Sequence, residues 1–262
     1  MNTIRADVYR VLRGKAFYIS LILFVLVVVP PLLTGEKANV ISFTVNDESM
    51  LPTAEVPVAL TAASAPLLVM AQFQPLIVFA LILVYVISAA DFNSGAIQNA
   101  IAAGLSRPGL YFAKLFLSFV FIELFALIAM AVGIVVGWFV GGLGTVSEAL
   151  VFSGLRAFGI QSLMMFTLAS VGTAIIFITR KGAALNAIYL LLFLGGSIVL
   201  FSASGALGTN LMGYDFVPNM ALAANIDVLP REQVTEMFTT IVVYLGLSMA
   251  LGLASFRRAT LK

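Results

Sequence analysis

One carboxyl group lies inside a long apolar run of the sequence. Glu123 falls within residues 115–140, about 13 Å from the start of that run if it is helical. A carboxyl group at such a depth in hydrocarbon is costly, so we expect it to face protein or water and to have a function. It could hold a proton, pair with Gln161 of a later run, line a substrate route, or form a structural hydrogen bond.

The residue types that usually perform catalysis are missing. The chain has no Cys, which excludes disulfides and thiolate metal sites, and no His, the commonest metal ligand and general base. No paired carboxylates are evident within the apolar runs, which disfavours an intramembrane protease. The sequence therefore predicts a protein that is not an enzyme, with no catalytic residue, metal site or cofactor of its own.

Composition indicates the medium in which these residues lie. Hydrophobic residues make up 61% of the 262 residues, charged residues make up 10%, and the mean hydropathy is +1.10. A soluble domain carries roughly 25% charged residues, because its surface must be covered by polar groups. We expect a single membrane domain over residues 1–262.

Six long apolar runs define spans one to six, at about 16–33, 66–90, 115–140, 155–179, 183–204 and 238–256. Each can cross roughly 30 Å of hydrocarbon, and only helices satisfy their own backbone groups there. The first run is long for a signal-peptide core and no small-x-small cleavage site follows it, so we expect it to be retained. The predicted fold class is an all-α polytopic membrane protein with six transmembrane helices.

The charges predict the orientation of the spans. With the N-terminus inside, eleven of the fourteen Lys and Arg residues lie on the cytoplasmic side. The exceptions are Lys37, Arg156 and Arg231. Acidic residues segregate the other way, and those predicted outside are Glu36, Asp47, Glu48, Glu55, Glu148, Asp215, Asp227, Glu232 and Glu236. We therefore expect both termini in the cytoplasm.

Residues 1–15 are predicted to form an amphipathic helix at the membrane interface. Its apolar stripe consists of Ile4, Val8, Val11 and Leu12. A second face carries Arg5, Tyr9 and Arg13, which can meet phospholipid headgroups or a cytoplasmic partner. A plain topology signal explains the basic residues as well as partner docking does.

The loop between spans two and three carries the most informative motif. Asp91 and the pair Asn93-Ser94 can cap a short helix over residues 95–103, which Gly104 then ends. Pro108 suits the first turn of the next helix. A short helix on the cytoplasmic face is typical of an element that pushes on a neighbouring protein, although an ordinary amphipathic connector has the same pattern.

This loop resembles that of ABC-2-type exporter permeases. The matching residues are Asp91-Phe92-x-x-Gly95-x-Ile97-x-Asn99, Gly104-x-Ser106-Arg107 and Lys114. The run Tyr9-Arg10-x-Leu12-x-x-x-Lys15 is similar to the connecting helix of that family, and the segment 205–237 fits its short outer helices before the last span. Ala96 and Gln98 depart from the family pattern, which has Thr and Lys there.

The resemblance implies an ABC-2 (type V) exporter-like fold with a connecting helix, a cytoplasmic coupling helix and short outer helices. It implies an interface with an ATPase subunit formed by Arg5, Tyr9, Arg10, Asp91, Gly95, Gln98, Asn99, Arg107 and Lys114. The expected partners are nucleotide-binding subunits that carry ATP and Mg²⁺, a second permease of the same or a homologous chain, and the lipid bilayer; no nucleic acid is expected. The expected location is the bacterial cytoplasmic membrane.

The implied function is export of an amphipathic or hydrophobic substrate, with an antimicrobial peptide or bacteriocin favoured over drugs, lipids or polysaccharides. The alternative is an ion-coupled secondary transporter that uses Glu123 as its proton site. Gly133, Gly137 and Gly141 repeat at four-residue spacing, the pattern of close helix packing within one chain or between two chains.

Overall fold

The computed structural model describes residues 2–34, 44–45, 48–49 and 59–258, and the side chains of residues 4–33 and 59–258. Six of its helices are long and apolar enough to cross a membrane: Lys15–Leu33, Leu76–Asn93, Arg107–Gly141, Glu148–Thr179, Gly182–Leu207 and Arg231–Arg258. The chain is therefore a multi-pass membrane protein, and these ranges are spans one to six below. Some charges used to predict orientation belong to side chains outside the described part: Glu36, Lys37, Asp47, Glu48, Glu55 and Lys262.

Shorter elements connect the spans. The N-terminal helix is Asn2–Arg13, the approach helix is Ala65–Met70, the loop helix is Ala96–Ala102 and the buried helix is Phe216–Leu222. Span one ends in a short turn at Pro31–Thr34, and 3₁₀ turns at Met212–Tyr214 and Ala223–Val228 flank the buried helix. Thr44–Val45 pairs with Glu48–Ser49 as two antiparallel two-residue strands.

Spans two and four form the centre of the bundle. In span four, 72% of the most apolar stretch is buried, against 22% in span five. Span four packs against spans two, three, five and six. A helix that is apolar on every side can be covered either by protein or by lipid. Hydropathy therefore predicts that these helices lie in the membrane but not which of them is central.

The predicted second span, 66–90, is interrupted in the structure. The approach helix ends at Met70, and span two starts only at Leu76 and continues to Asn93. Pro75 stands directly before span two, where its missing N–H and its effect on the preceding residue disfavour a continuous helix. Pro66, at the first turn of the approach helix, is tolerated because amides there have no helical partner.

Spans three and four begin earlier than hydropathy predicts. Span three starts at Arg107 and span four at Glu148, rather than at residues 115 and 155. Ser106 and Ser147 cap the two helices, with their hydroxyls accepting from the amides of Gly109 and Leu150. Hydropathy indicates how much of a helix lies in lipid, whereas these polar capping residues determine where the helix begins.

The buried helix lies inside the protein. Residues 216–224 are all buried. The buried helix packs against spans five and six, and the 3₁₀ turn that follows it packs against span four and the approach helix. Asp215 caps it by accepting from the Val217 amide at 3.1 Å. Burial raises the pKa of Asp215, while hydrogen bonds from Ser197 and Val217 act in the opposite direction.

The three spaced glycines of span three contact the approach helix and the chain that leads into it. A Cβ atom on Gly133 would meet Val69, on Gly137 the backbone of Thr61, and on Gly141 the backbone of Leu60. The same segment also hydrogen-bonds the end of span three, since the amides of residues 62 and 63 donate to the carbonyls of residues 142 and 143. In the structure these glycines thus serve packing within the chain.

Replacing Gly137 by Leu should therefore destabilise the protein. The new side chain would collide with the Thr61 backbone, and overpacking of this kind costs about 1–3 kcal/mol. Thermal unfolding of the detergent-purified protein should show a lowered Tm. Gly159→Leu is the matched control, because a Cβ atom there meets nothing within 4 Å. Equal Tm values for both variants would contradict this packing.

Candidate functional site

Four charged side chains meet where the N-terminal helix crosses spans two and three. Asp7 and Arg10 come from the N-terminal helix, Asp91 from the end of span two and Lys114 from the first turns of span three. We call these four residues the charge cluster. It joins three elements that are far apart in sequence at one end of the bundle.

Lys114 is the most enclosed member of the charge cluster. Its side chain is 3% exposed, and its ammonium group donates to Asp7 at 2.6 Å, to Asp91, and to the Ile87 carbonyl at 3.2 Å. An ammonium group has three N–H donors, so all three are used. The Ile87 carbonyl belongs to the π-helical turn Tyr85–Ala89 of span two. Such turns inside α-helices are frequent at functional sites.

Arg10 closes the charge cluster from its exposed side. Its guanidinium donates to Asp91, to Asp7 at 3.2 Å and to the Ile87 carbonyl at 3.2 Å. Partial burial opposes the charge of Arg10, but the hydrogen bond and charge of Asp91, with the charge of Asp7, outweigh it and raise its pKa. Arg10 therefore remains a cation and fastens the N-terminal helix to span two.

The charge cluster is electrically balanced, with two carboxylates and two cations. Taking ions out of water costs several kcal/mol each, and only close pairing with further hydrogen bonds repays that cost. Both carboxylates are engaged by cations, so the arrangement suits a rigid joint rather than a metal site. Within the described ranges, no group of three or more His, Cys, Asp and Glu residues is placed to hold a metal ion.

Asp91 does not cap the loop helix, contrary to the sequence prediction. It lies on span two and is only 4% exposed, because its carboxylate faces Arg10 and Lys114. The residue at the start of the loop helix is Gly95, and neither Asn93 nor Ser94 provides a side-chain cap. Gly95 has φ +73°, a left-handed conformation that glycine adopts without strain. This reversal turns the chain sharply from span two into the loop helix.

The loop helix has an exposed face and one buried anchor. Ile97 is 1% exposed, whereas Ala96, Asn99 and Ala102 are exposed and Gln98 is half-buried. The chain stays exposed from residue 102 to residue 106. The loop helix therefore offers a small, accessible face directly beside the charge cluster.

Arg107 fastens the other end of the loop to span six. Its guanidinium donates to the carbonyl of Phe256 at 3.3 Å and to that of Arg257 at 2.9 Å. These carbonyls lie in the last turn of span six, where a cation also complements the helix dipole. Arg107 thus connects the start of span three with the end of span six.

The outward face of the N-terminal helix carries the remaining predicted interface residues. Arg5 is exposed, Tyr9 is 57% exposed, and the guanidinium of Arg13 lies 4.5 Å from the centre of the Tyr9 ring. This distance is typical of a cation–π contact. Arg5, Tyr9 and the loop helix face are accessible, whereas Asp91 and Lys114 support that surface from beneath.

Glu123 contacts Ser162 rather than Gln161. Its Oε1 atom accepts from the Ser162 hydroxyl at 2.8 Å. Its Oε2 atom is enclosed, and no group in the described part of the chain hydrogen-bonds to it. Of the alternatives left open by the sequence, the pairing with Gln161 is therefore wrong, and the bond to span four is made by the next residue. A carboxyl group placed in this way can hold a proton.

Gln161 has a different role, deeper in the bundle than the charge cluster. Its Nε2 donates to the carbonyl of Met70 at 2.8 Å and to that of Met220 at 2.9 Å. Met70 ends the approach helix and Met220 lies in the buried helix. One fully buried amide therefore holds two interrupted segments together within the apolar interior.

Asp7 and Ser162 were missed by reasoning from the sequence. Asp7 is the only acidic residue among the first 35, three positions before Arg10, and this isolation was the available signal. Ser162 gave no signal, because one hydroxyl in an apolar helix has no pattern of its own. No model of a known protein family matches this chain, and no curated protein is significantly similar to it.

Replacing Lys114 by Met should destabilise the protein strongly. The substitution leaves Asp7 and Asp91 with one shared cation, and breaking a buried pair costs about 3–5 kcal/mol. Arg156→Met is the matched control, because its 2.7 Å ion pair with Asp227 is exposed and should contribute at most about 1 kcal/mol. Denaturant or thermal unfolding in detergent would measure the difference. If both variants lose the same stability, the charge cluster is not a structural joint.

Replacing Gln161 by Leu should also lower stability, because two buried carbonyls lose their donor. An unsatisfied buried acceptor costs about 1–3 kcal/mol. Asn186→Leu, which removes an exposed amide from span five, should change the Tm little. Protease cleavage near residues 71–75, measured on the folded protein, should become faster in the Gln161 variant alone. An unchanged Tm and cleavage rate would contradict the assigned role.

Proposed function

We propose that this chain is the transmembrane permease subunit of an ATP-driven exporter of the ABC-2 type. In this proposal it moves an amphipathic or hydrophobic substrate, with an antimicrobial peptide or bacteriocin favoured, out of a bacterial cytoplasmic membrane. ATP and Mg²⁺ bind to separate ATPase subunits, and a second permease completes the pathway. The termini, the loop helix and the charge cluster lie on the cytoplasmic side.

The observation that carries the proposal is the attachment of the loop helix to the spans. On one side, the charge cluster joins Asp91 to the N-terminal helix and to Lys114 of span three. On the other side, Arg107 is bonded to the last turn of span six. A force applied to the exposed face of the loop helix would thus reach the N-terminal helix and spans two, three and six together.

This arrangement suits rigid-body transmission. Buried ion pairs with all donors used tolerate little sliding, so the attached elements move as one unit rather than deforming separately. Closure of an ATPase partner against the loop helix would tilt these spans relative to span five. Span five has the least buried apolar stretch of the six and no member of the charge cluster.

An ion-coupled secondary transporter is the second candidate. One observation favours it: the Oε2 atom of Glu123 is enclosed and has no hydrogen-bonding group around it in the described structure. An unpaired carboxylate in hydrocarbon is costly, and protonation removes that cost. Glu123 would then bind the coupling proton, and no ATPase would be required.

Substitutions on the loop helix face test the leading proposal. Asn99→Arg and Ala102→Arg change exposed residues and should leave the fold intact. We expect both to abolish co-purification with a co-expressed ATPase of the ABC class and to remove substrate-stimulated ATP hydrolysis. Glu148→Arg, an equally exposed change at the opposite end of the bundle, is the control and should preserve both.

The same preparation separates the two candidates. In proteoliposomes, the permease proposal predicts transport that needs the ATPase and ATP and that survives Glu123→Gln. Transport that proceeds without any ATPase, stops when the proton gradient is collapsed, and is lost in Glu123→Gln would overturn the permease proposal in favour of the secondary transporter.

A further inference from the structure

Span two contains one residue more than a continuous α-helix would hold over the same length. At Tyr85–Ala89 the helix widens into a π-helical turn, in which the Ala90 amide donates to the Tyr85 carbonyl, five residues earlier instead of four. The first part of span two packs against span four, and its last part carries Asp91 of the charge cluster. The turn between them therefore determines how these two parts are rotated relative to each other.

The contacts of span two with span four show the effect of the extra residue. Before the turn, Val84 lies against Gly172, where an added Cβ would come within 3.0 Å of the Val84 side chain. After the turn, the ring centre of Phe92 is 5.1 Å from that of Phe177. An α-helix returns to the same face after about seven residues, and the residue seven positions after Val84 is Asp91. The π-helical turn thus brings Phe92 to span four in place of Asp91.

The charge cluster depends on this register of span two. The Asp91 carboxylate engages Arg10 and Lys114. The Ile87 carbonyl, inside the turn, accepts from both cations at 3.2 Å. A rotation of the last part of span two by one residue, about 100°, would turn Asp91 towards span four and bring Ala90 to Lys114. The charge cluster therefore forms in one register and is lost in the next.

A buried hydroxyl inside the turn favours the other register. Ser88 is 0% exposed, and its hydroxyl has no hydrogen-bond partner among the described residues. In an α-helix such a hydroxyl can donate to the carbonyl four residues earlier, as Ser202 and Ser204 do at 2.9 Å and 2.8 Å. Closing the turn to α geometry would give Ser88 the carbonyl of Val84. Two sets of polar contacts thus compete at the same place.

We propose that the π-helical turn of span two is a two-register switch for the charge cluster. In the register of this structure the extra residue lies within Tyr85–Ala89, and the charge cluster is rigid. In the second register the turn closes to α geometry, and the extra residue is taken up before Gly95, where the chain reverses. Asp91 then leaves its two cations, and Phe92 moves to the exposed position that Asn93 now occupies. The register change does not require the permease proposal; only its use in transport rests on that function.

Thiol labelling of the full chain in lipid nanodiscs tests the switch, because the sequence has no Cys. Phe92→Cys places a unique thiol at an 8% exposed position, which a water-soluble maleimide should label slowly. Adding Arg10→Gln removes one of the two cations that hold Asp91 and should raise the labelling rate several-fold. Asn93→Cys, at an exposed position in both registers, gives the reference rate and should change little.

Deletion of Ser88 separates a change of register from general loosening of the fold. Without the extra residue the turn closes to α geometry, and Asp91 and Phe92 keep their present places. We therefore expect the deletion variant to fold with a nearly unchanged Tm. Arg10→Gln should no longer raise the labelling rate of Phe92→Cys in this variant. Ser88→Ala keeps the chain length and, as the matched control, should retain the rise.

Deletion of Leu168, in the uninterrupted helix of span four, is the control for the tolerance of a deletion and should lower the Tm sharply. The switch is overturned if the chain without Ser88 does not fold, or if it folds and Arg10→Gln still raises the labelling rate. It is also overturned if Arg10→Gln leaves the labelling of Phe92→Cys as slow as before. None of these measurements uses an ATPase or a substrate, so their failure is distinct from failure of the permease proposal.

Discussion

The side chain of Lys114 is only 3% exposed, so its ammonium group is buried. Much of the structure where the N-terminal helix crosses spans two and three is arranged around that charge. A buried cation needs counter-ions, so Asp91 of span two and Asp7 of the N-terminal helix must lie beside it. Two carboxylates then need a second cation, which Arg10 provides. The docking of the N-terminal helix and the position of the loop helix after Asp91 both follow from this balance of charge.

Deeper in the bundle the constraint is the backbone itself. Helix interruptions are tolerated within a membrane only where the freed carbonyl groups find partners. The approach helix stops at Met70, and the buried helix is short, so both present carbonyls to the interior. Gln161 satisfies one from each. Span four thus carries a side chain that joins the two segments, which agrees with its central position.

The helices of the bundle differ in how much of their surface the chain itself covers. The most apolar stretch of span four is 72% buried, whereas that of span five is 22% buried. The loop helix beside the charge cluster is anchored by Ile97, while Ala96, Asn99 and Ala102 are exposed. Span five therefore leaves most of its apolar surface uncovered by the described part of the chain, and the loop helix leaves an accessible face at the end of the bundle.

The sequence by itself determined the class of the protein, the number of spans and the place of the informative loop. These features depend on local composition: runs of apolar residues, Ser and Pro at helix starts, and Gly95 where the chain reverses. Only the tertiary structure decided the partners of the polar residues. The local sequence around Asp91 predicts a helix cap, but in the structure Asp91 is a buried counter-ion of Lys114. Glu123 accepts a hydrogen bond from Ser162 and not from the neighbouring Gln161. Successive residues of a helix point in directions about 100° apart, so the rotation of a helix about its axis decides which of two neighbours meets a given partner. A nearly uniform apolar sequence does not determine that rotation.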